Sequence, residues 1–153
     1  MIPFAKAHAC GNDFLIVNED AAVGYDPAEL ARRLCARNTG VGADGVEFFA
    51  WKIAEPSQRG AGRIRLYNAD GSIAEISGNG TRCVAAWMAE ELDSKAGDDL
   101  AIECKHGCKR ILALTDGDAR KLNASRHHAV VRFIPCDNHF QFSKEMSRKI
   151  YKP

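Results

Sequence analysis

The sequence predicts an α+β fold in which a curved mixed sheet wraps around a central helix, and three observations carry that reading. Short apolar runs with strand-like spacing recur from Ile2 to Leu114, separated by corners rich in Gly, Asn and Asp. Two segments, opening at Asp26 and at Asn79, instead carry helical periodicity. The second places Val84, Trp87, Met88 and Leu92 on one face and runs from Asn79 to Leu92, which makes it the candidate core helix.

Taken in order, Ile2 and Phe4 begin a short strand that meets the polar corner Cys10-Gly11-Asn12-Asp13. The run Phe14 to Val17 reads as a buried strand. Asn12 is either a turn residue or an amide facing a ligand. His8 is an isolated histidine, a type that titrates near neutrality yet more often packs or faces solvent. Asp26-Pro27-Ala28-Glu29 opens the first helix, with Asp26 as cap, Pro27 in the first position and Glu29 completing a capping box. Leu30 and Leu34, with Ala31 and Cys35, form its apolar stripe, and Arg37 to Gly40 ends it. The glycine-rich passage Val41 to Gly45 lacks the glycine order of a dinucleotide fingerprint and the terminal Lys-Ser/Thr of a Walker loop, so it reads as a tight connection into a strand from Val46 to Ile53.

After a loop at 54–62 comes the stretch that organises the chain. A strand carrying Ile64 and Leu66 turns at Asn68-Ala69-Asp70-Gly71, extends again through Ile73 and Ile76, and enters the core helix through Ser77-Gly78-Asn79-Gly80. A helix start has unpaired N–H groups and a partial positive charge, and glycines let an anion reach them. Gly78-Asn79-Gly80 is therefore a candidate segment to hold a carboxylate or phosphate, beside Ser77 and with Asn68 arriving from the preceding turn. The other reading of the same residues is structural: Ser77 or Asn79 caps the helix and the glycines tighten a corner. Two further strands, Leu100 to Cys104 and Lys109 to Leu114, join through His106-Gly107, and Ala129 to Ile134 suits one more, limited by Pro135. The final residues, HFQFSKEMSRKIYKP, are either a basic amphipathic element or a tail.

At 153 residues and 46% hydrophobic content, the chain can bury a core within one domain. A formal charge of +1 supplies no electrostatic case for nucleic-acid or membrane partners, and no apolar run approaches the roughly 20 residues a membrane helix needs. Six cysteines in a chain this apolar read as reduced thiols in the cytoplasm rather than disulfide staples. Cys104 and Cys108 around His106, and Cys136 with His139, lack the CxxC spacing of a zinc knuckle, so no metal is expected. Basic residues outnumber acidic ones after residue 115, which divides the chain into a lobe at 1–114 and a divergent basic segment at 115–153.

Four motifs in order, KAHACGNDF at 6–14, RNTGVGADG at 37–45, NADGS at 68–72 and SGNGTRC at 77–83, resemble those of the diaminopimelate epimerase family. The resemblance implies an N-terminal lobe of a two-lobed fold, and an enzyme that inverts an amino-acid α-carbon with one cysteine from each lobe and no pyridoxal phosphate, metal or other cofactor. By that resemblance the first catalytic cysteine falls at Ser77, Asn12 and Asn68 contact substrate through their amides, and the backbone of Gly78 and Asn79 receives the α-carboxylate. It also implies a small amino-acid carboxylate as ligand and a companion lobe, or self-association, as the source of the second group. Ser77 and the half-length chain together predict weak activity, or none, from this polypeptide alone.

Overall fold

The computed structural model describes residues 1–94 and 98–104 in full, and the backbone of 107–112 and 149–151. The elements are β1 (Ile2–Ala9), β2 (Asn12–Asn18), α1 (Pro27–Cys35), β3 (Gly45–Lys52), β4 (Gly60–Asn68), β5 (Ile73–Ala74), α2 (Gly78–Glu91), β6 (Asp99–Cys104), β7 (Gly107–Leu112) and β8 (Lys149–Tyr151). They make one mixed sheet in the order β7-β6-β4-β3-β2-β1-β8, with β5 on the edge of β4. The pairs β2/β3 and β4/β6 are parallel, and every other pair is antiparallel.

Each parallel pair needs a crossover, and a helix supplies it: α1 between β2 and β3, and α2 between β4 and β6. Because β4 runs opposite to β3, crossovers of one hand carry the two helices to opposite faces of the sheet. The packing shows that outcome. Leu30, Ala31 and Leu34 of α1 sit with Leu15, Val17, Val46 and Phe48 on one face. Cys83, Val84 and Met88 of α2 sit with Ala5, Ala7, Phe14, Ile16, Phe49, Ile64, Leu66 and Ile102 on the other. The sheet is therefore covered twice, which is why Phe14 to Val17 and Phe48-Phe49 are continuous apolar runs. Each fully buried Leu, Phe or Met contributes about 1.5–3 kcal/mol by leaving water.

The α1 cap is as expected, with Asp26 Oδ1 accepting from the Glu29 amide at 2.8 Å. The capping box does not close: the Glu29 carboxylate instead accepts from Arg32 Nε at 3.0 Å, one turn further on. On α2, Val84 and Met88 are fully buried while Trp87 and Leu92 pack only partly, with Trp87 edge-on to Phe49 at 4.9 Å. The last expected strand, Ala129 to Ile134, and the Cys136 and His139 pair lie outside the described residues. Within the final segment, Lys149–Tyr151 forms β8 against Ile2 to Phe4. No helix among the described residues is long and apolar enough to cross a membrane.

One core position breaks the apolar pattern. Glu47 on β3, between Ile16 of β2 and Leu66 of β4, is completely buried beneath the first turn of α2. Neither carboxyl oxygen has a hydrogen-bond partner among the described residues. Burial raises its pKa from the ordinary 4.5 to about 8, so the folded chain holds this proton more tightly than the unfolded chain does. The associated stability is complete below the unfolded value and is lost as pH climbs through the folded one. Unfolding free energy should thus decline between about pH 5 and about pH 8, by roughly 1.4 kcal/mol per unit at most. Glu47→Gln should remove most of that decline and stabilise the chain at pH 8. Urea unfolding at a series of pH values measures both, and a decline of equal slope in the variant would contradict the assignment.

Candidate functional site

Three corners of the chain meet at one end of the sheet. Cys10 and Gly11 form a two-residue hairpin loop with φ of 54° and 79°, which sets Ala9 opposite Asn12. Across the strands, Phe14 pairs with Gly45 and Gly45 with Asn68, so the starts of β2 and β3 adjoin the end of β4. Backbone bonds lock this edge, from Asp44 N to Asp13 O at 2.9 Å and from Ala69 N to Asp44 O at 3.1 Å.

Charge reinforces the edge. Arg37 donates to both Asp13, at 2.9 Å, and Asp44, at 2.8 Å, and Lys6 reaches Asp13 at 3.1 Å and the Gly42 carbonyl at 2.6 Å. Burial alone would raise the Asp13 carboxyl, but Arg37 and Lys6 outweigh it and hold the pKa below the usual range. Asn12 donates from Nδ2 to Asp44 Oδ2 at 2.8 Å, and Asn68 from Nδ2 to Ser72 Oγ at 2.9 Å. Both amides therefore stand at this edge, each engaged by a neighbouring side chain.

The start of α2 lies over the same strands. Ser77 is its N-cap, with Oγ accepting from the Gly80 amide at 3.0 Å while its carbonyl accepts from Thr81 N at 2.9 Å and Thr81 Oγ1 at 2.8 Å. The cap takes one amide of the first turn and leaves two. The third helical amide belongs to the cap, whereas the amides of Gly78 and Asn79 have no partner among the described residues. Nothing stands within 4 Å of where a Gly78 side chain would begin, so an anion has room to approach. The Asn79 side chain turns aside to accept from Arg82 at 2.9 Å, which brings a guanidinium close to the helix start.

Gly80 is a glycine for a different reason. A Cβ there would overlap Glu47 Oε1 and stand 3.2 Å from Ser77 Cβ, so the buried acid lies directly under the turn that carries the open amides. Glu47 also lines a cavity of about 370 Å³ between β4, β5 and the end of β6, with Ile64, Leu66, Ala74, Ile76 and Cys104. This acid escaped the sequence reading. The available signal was one carboxylate in the run Val46 to Ala50, at the same parity as the inward-facing Phe49.

The thiols near the site are poor proton carriers. Burial, with the nearby Glu47 and Asp13 adding to it, pushes the Cys83 thiol up to about 12, and burial does the same for Cys35. Cys83 is a core residue of α2, while Cys10 is exposed at the hairpin tip. No group of three or more metal-ligating side chains occurs among the described residues.

Comparison with known proteins agrees with this arrangement. A family profile described as diaminopimelate epimerase matches residues 4–125. A diaminopimelate epimerase of Methanocaldococcus jannaschii is 38% identical over 122 residues, covering 77% of this chain and 39% of that protein. One from Halothermothrix orenii is 36% identical over 137 residues, covering 88% of this chain and 47% of that protein. The chain thus spans less than half the length of these relatives. Among solved structures, a methylitaconate-delta-isomerase matches with a TM-score of 0.55 at 13% identity, covering 76% of this chain and 35% of that one. A probable proline racemase from Agrobacterium radiobacter K84 matches at 0.51 and 17%, covering 72% and 36%. These two likenesses establish a shared fold. With the profile matched over most of its length, and with the sheet edge and helix start placed as described, the chain belongs to the diaminopimelate epimerase family.

Proposed function

We propose that the first turn of α2 is the carboxylate-holding half of an epimerase-type site, which takes the α-carboxylate of a small amino acid such as diaminopimelate. The observation that carries this reading is the pair of open amides at Gly78 and Asn79, with clear space above Gly78. Two N–H donors at the positive end of a helix also stabilise the charge that builds on a carboxylate when its α-carbon loses a proton. The relatives' names supply the substrate class.

Ser77 limits what the half-site does by itself. A thiol at this position has an ordinary pKa near 8.5 and holds a ready fraction of thiolate, whereas an alcohol has no such reserve. Here Ser77 Oγ is also engaged by the Gly80 amide. Inverting a stereocentre further requires groups on both faces of one carbon. In this reading a companion lobe, or a second copy of the chain, faces α2 and supplies the opposing group, and the reaction needs no cofactor. The engaged Ser77 hydroxyl favours one second reading, a module that binds the carboxylate without turning it over.

Pimelate, which has the two carboxylates of diaminopimelate without its amines, should shift the Gly78 and Asn79 amide resonances of the 153-residue chain. No response there would remove the carboxylate site. Stereochemically pure diaminopimelate in deuterated water should gain little α-deuterium from the chain alone, and rapid exchange would overturn the role given to Ser77. Ser77→Cys should place a thiol at the helix start that alkylates with an apparent pKa below about 8.5, over the background set by Cys10 in the parent chain. A value at or above that figure would mean the helix end does not favour anions.

A further inference from the structure

The position of Glu47 has no explanation in packing. An ordinary buried carboxyl is met by an amide, a hydroxyl or a cation, and Glu47 meets none of these among the described residues. The nearest cations of the chain are otherwise engaged. Arg63 and Arg65, on the adjacent strand β4, donate to Glu19 at 2.8 and 2.7 Å. Glu103 on β6 is paired with Lys52. The other titratable groups in this region among the described residues are Tyr67 on β4, Cys83 and Arg82 on α2, Cys104 on β6 and Glu75 between β5 and α2; the one cation of these, Arg82, donates to Asn79 and not to Glu47. The carboxyl nevertheless lines a cavity, whose other walls include the aliphatic side chains of Ile64, Leu66, Ala74 and Ile76.

The cavity also carries Arg63, Arg65, Glu75 and Glu103, but both arginines are engaged by Glu19, so its unmatched charge is the buried acid among aliphatic walls, which fits a cation that carries an aliphatic body. The open amides of Gly78 and Asn79 belong to the same helical turn as Gly80, which rests on Glu47. The acid thus lies beneath the turn that carries the two open amides. We propose that Glu47 is the counter-ion for the ligand's ammonium group, so that one amino acid is held by its carboxylate on the outer amides of α2 and by its ammonium on the carboxyl beneath Gly80. This assignment rests on the carboxylate reading of α2 given above, and it adds a recognition residue for the amine on the same lobe. The interaction is an ion pair with charge-assisted hydrogen bonds, N–H⁺ donating to Glu47 Oε1 or Oε2, and it needs the acid to ionise as the ligand enters. Burial keeps Glu47 protonated at neutral pH, so ligand entry releases that proton to solvent.

Titration calorimetry of the 153-residue chain at pH 6.5, in buffers of different ionisation enthalpy, tests this with diaminopimelate and pimelate side by side. Diaminopimelate should bind with release of about one proton per molecule, falling toward none above about pH 8, and pimelate should bind without that release. Glu47→Gln should abolish the proton release and weaken diaminopimelate at least about tenfold, while leaving pimelate unchanged. Glu47→Met, an apolar replacement of similar length, should behave alike, and the melting temperature of each variant reports that it is folded. If pimelate binds but diaminopimelate releases no proton, or is held as tightly by Glu47→Gln, the ammonium assignment is wrong and the carboxylate site stands. If diaminopimelate binds with Glu47-dependent proton release and pimelate does not bind, the carboxylate reading falls and the role of Glu47 survives. Absence of diaminopimelate binding at millimolar concentration overturns the assignment of Glu47.

Discussion

The first turn of α2 rests on β3 so closely that Gly80 has no space for a side chain above the Glu47 carboxyl. That contact sets where the helix begins over the sheet, and with it where the positive end of the helix lies. Ser77 can cap the third amide because Gly80 is held in place, and the first two amides then project beyond the cap. Any residue larger than glycine at position 80 would meet the Glu47 carboxyl, so that either this side chain or the turn above it would have to move. Close approach of backbone to sheet, rather than any single polar residue, is therefore what builds the site.

The edge on which this turn opens is held by charge rather than by apolar packing. Lys6, Asp13, Arg37 and Asp44 come from four separate segments, and their bonds fasten the hairpin tip, the exit of α1 and the start of β3 to one another. Such partly exposed pairs contribute little individually to stability, but a network of them fixes geometry. Asn12 and Asn68 are carried on that frame, and their side chains are oriented by Asp44 and Ser72 before any ligand arrives. An amide already hydrogen-bonded loses little freedom on binding, which favours recognition of a small polar molecule.

Family membership and local chemistry point in different directions at two positions. In the proposed site Ser77 takes the place of the first proton-transferring group, but it lacks a thiol's acidity and serves the helix as a cap. Glu47 stands one layer below and has the acidity that Ser77 lacks, shifted upward by burial in an apolar setting. The lobe therefore presents two open amides at a helix start and an unmatched acid beneath them. Binding of a zwitterion satisfies both, while stereochemical inversion asks for a further group on the opposite face.

Much of the fold was legible because its determinants are local. The Asp26-Pro27 start of α1, the Asn68 to Gly71 turn, the strand runs and the Ser77 to Gly80 entry into α2 are set by cap geometry, left-handed backbone and side-chain periodicity within a few residues. A glycine-rich helix start over Gly78 to Gly80 was legible for the same reason, but not that the Ser77 cap takes the Gly80 amide and leaves the other two open. Other features depend on segments far apart in the chain. The strand β8 finds its place only by pairing with Ile2 to Phe4 at the other end of the chain. The burial of Glu47 is the clearest case. A carboxylate in a strand faces solvent or core according to which crossover covers that face, and only the folded chain brings Gly80 down upon it. The sequence alone thus determined the elements and the chemistry of the helix entrance. Tertiary structure decided which strand lies beneath that entrance, because sheet order and the face on which each helix crosses are long-range properties with no local code.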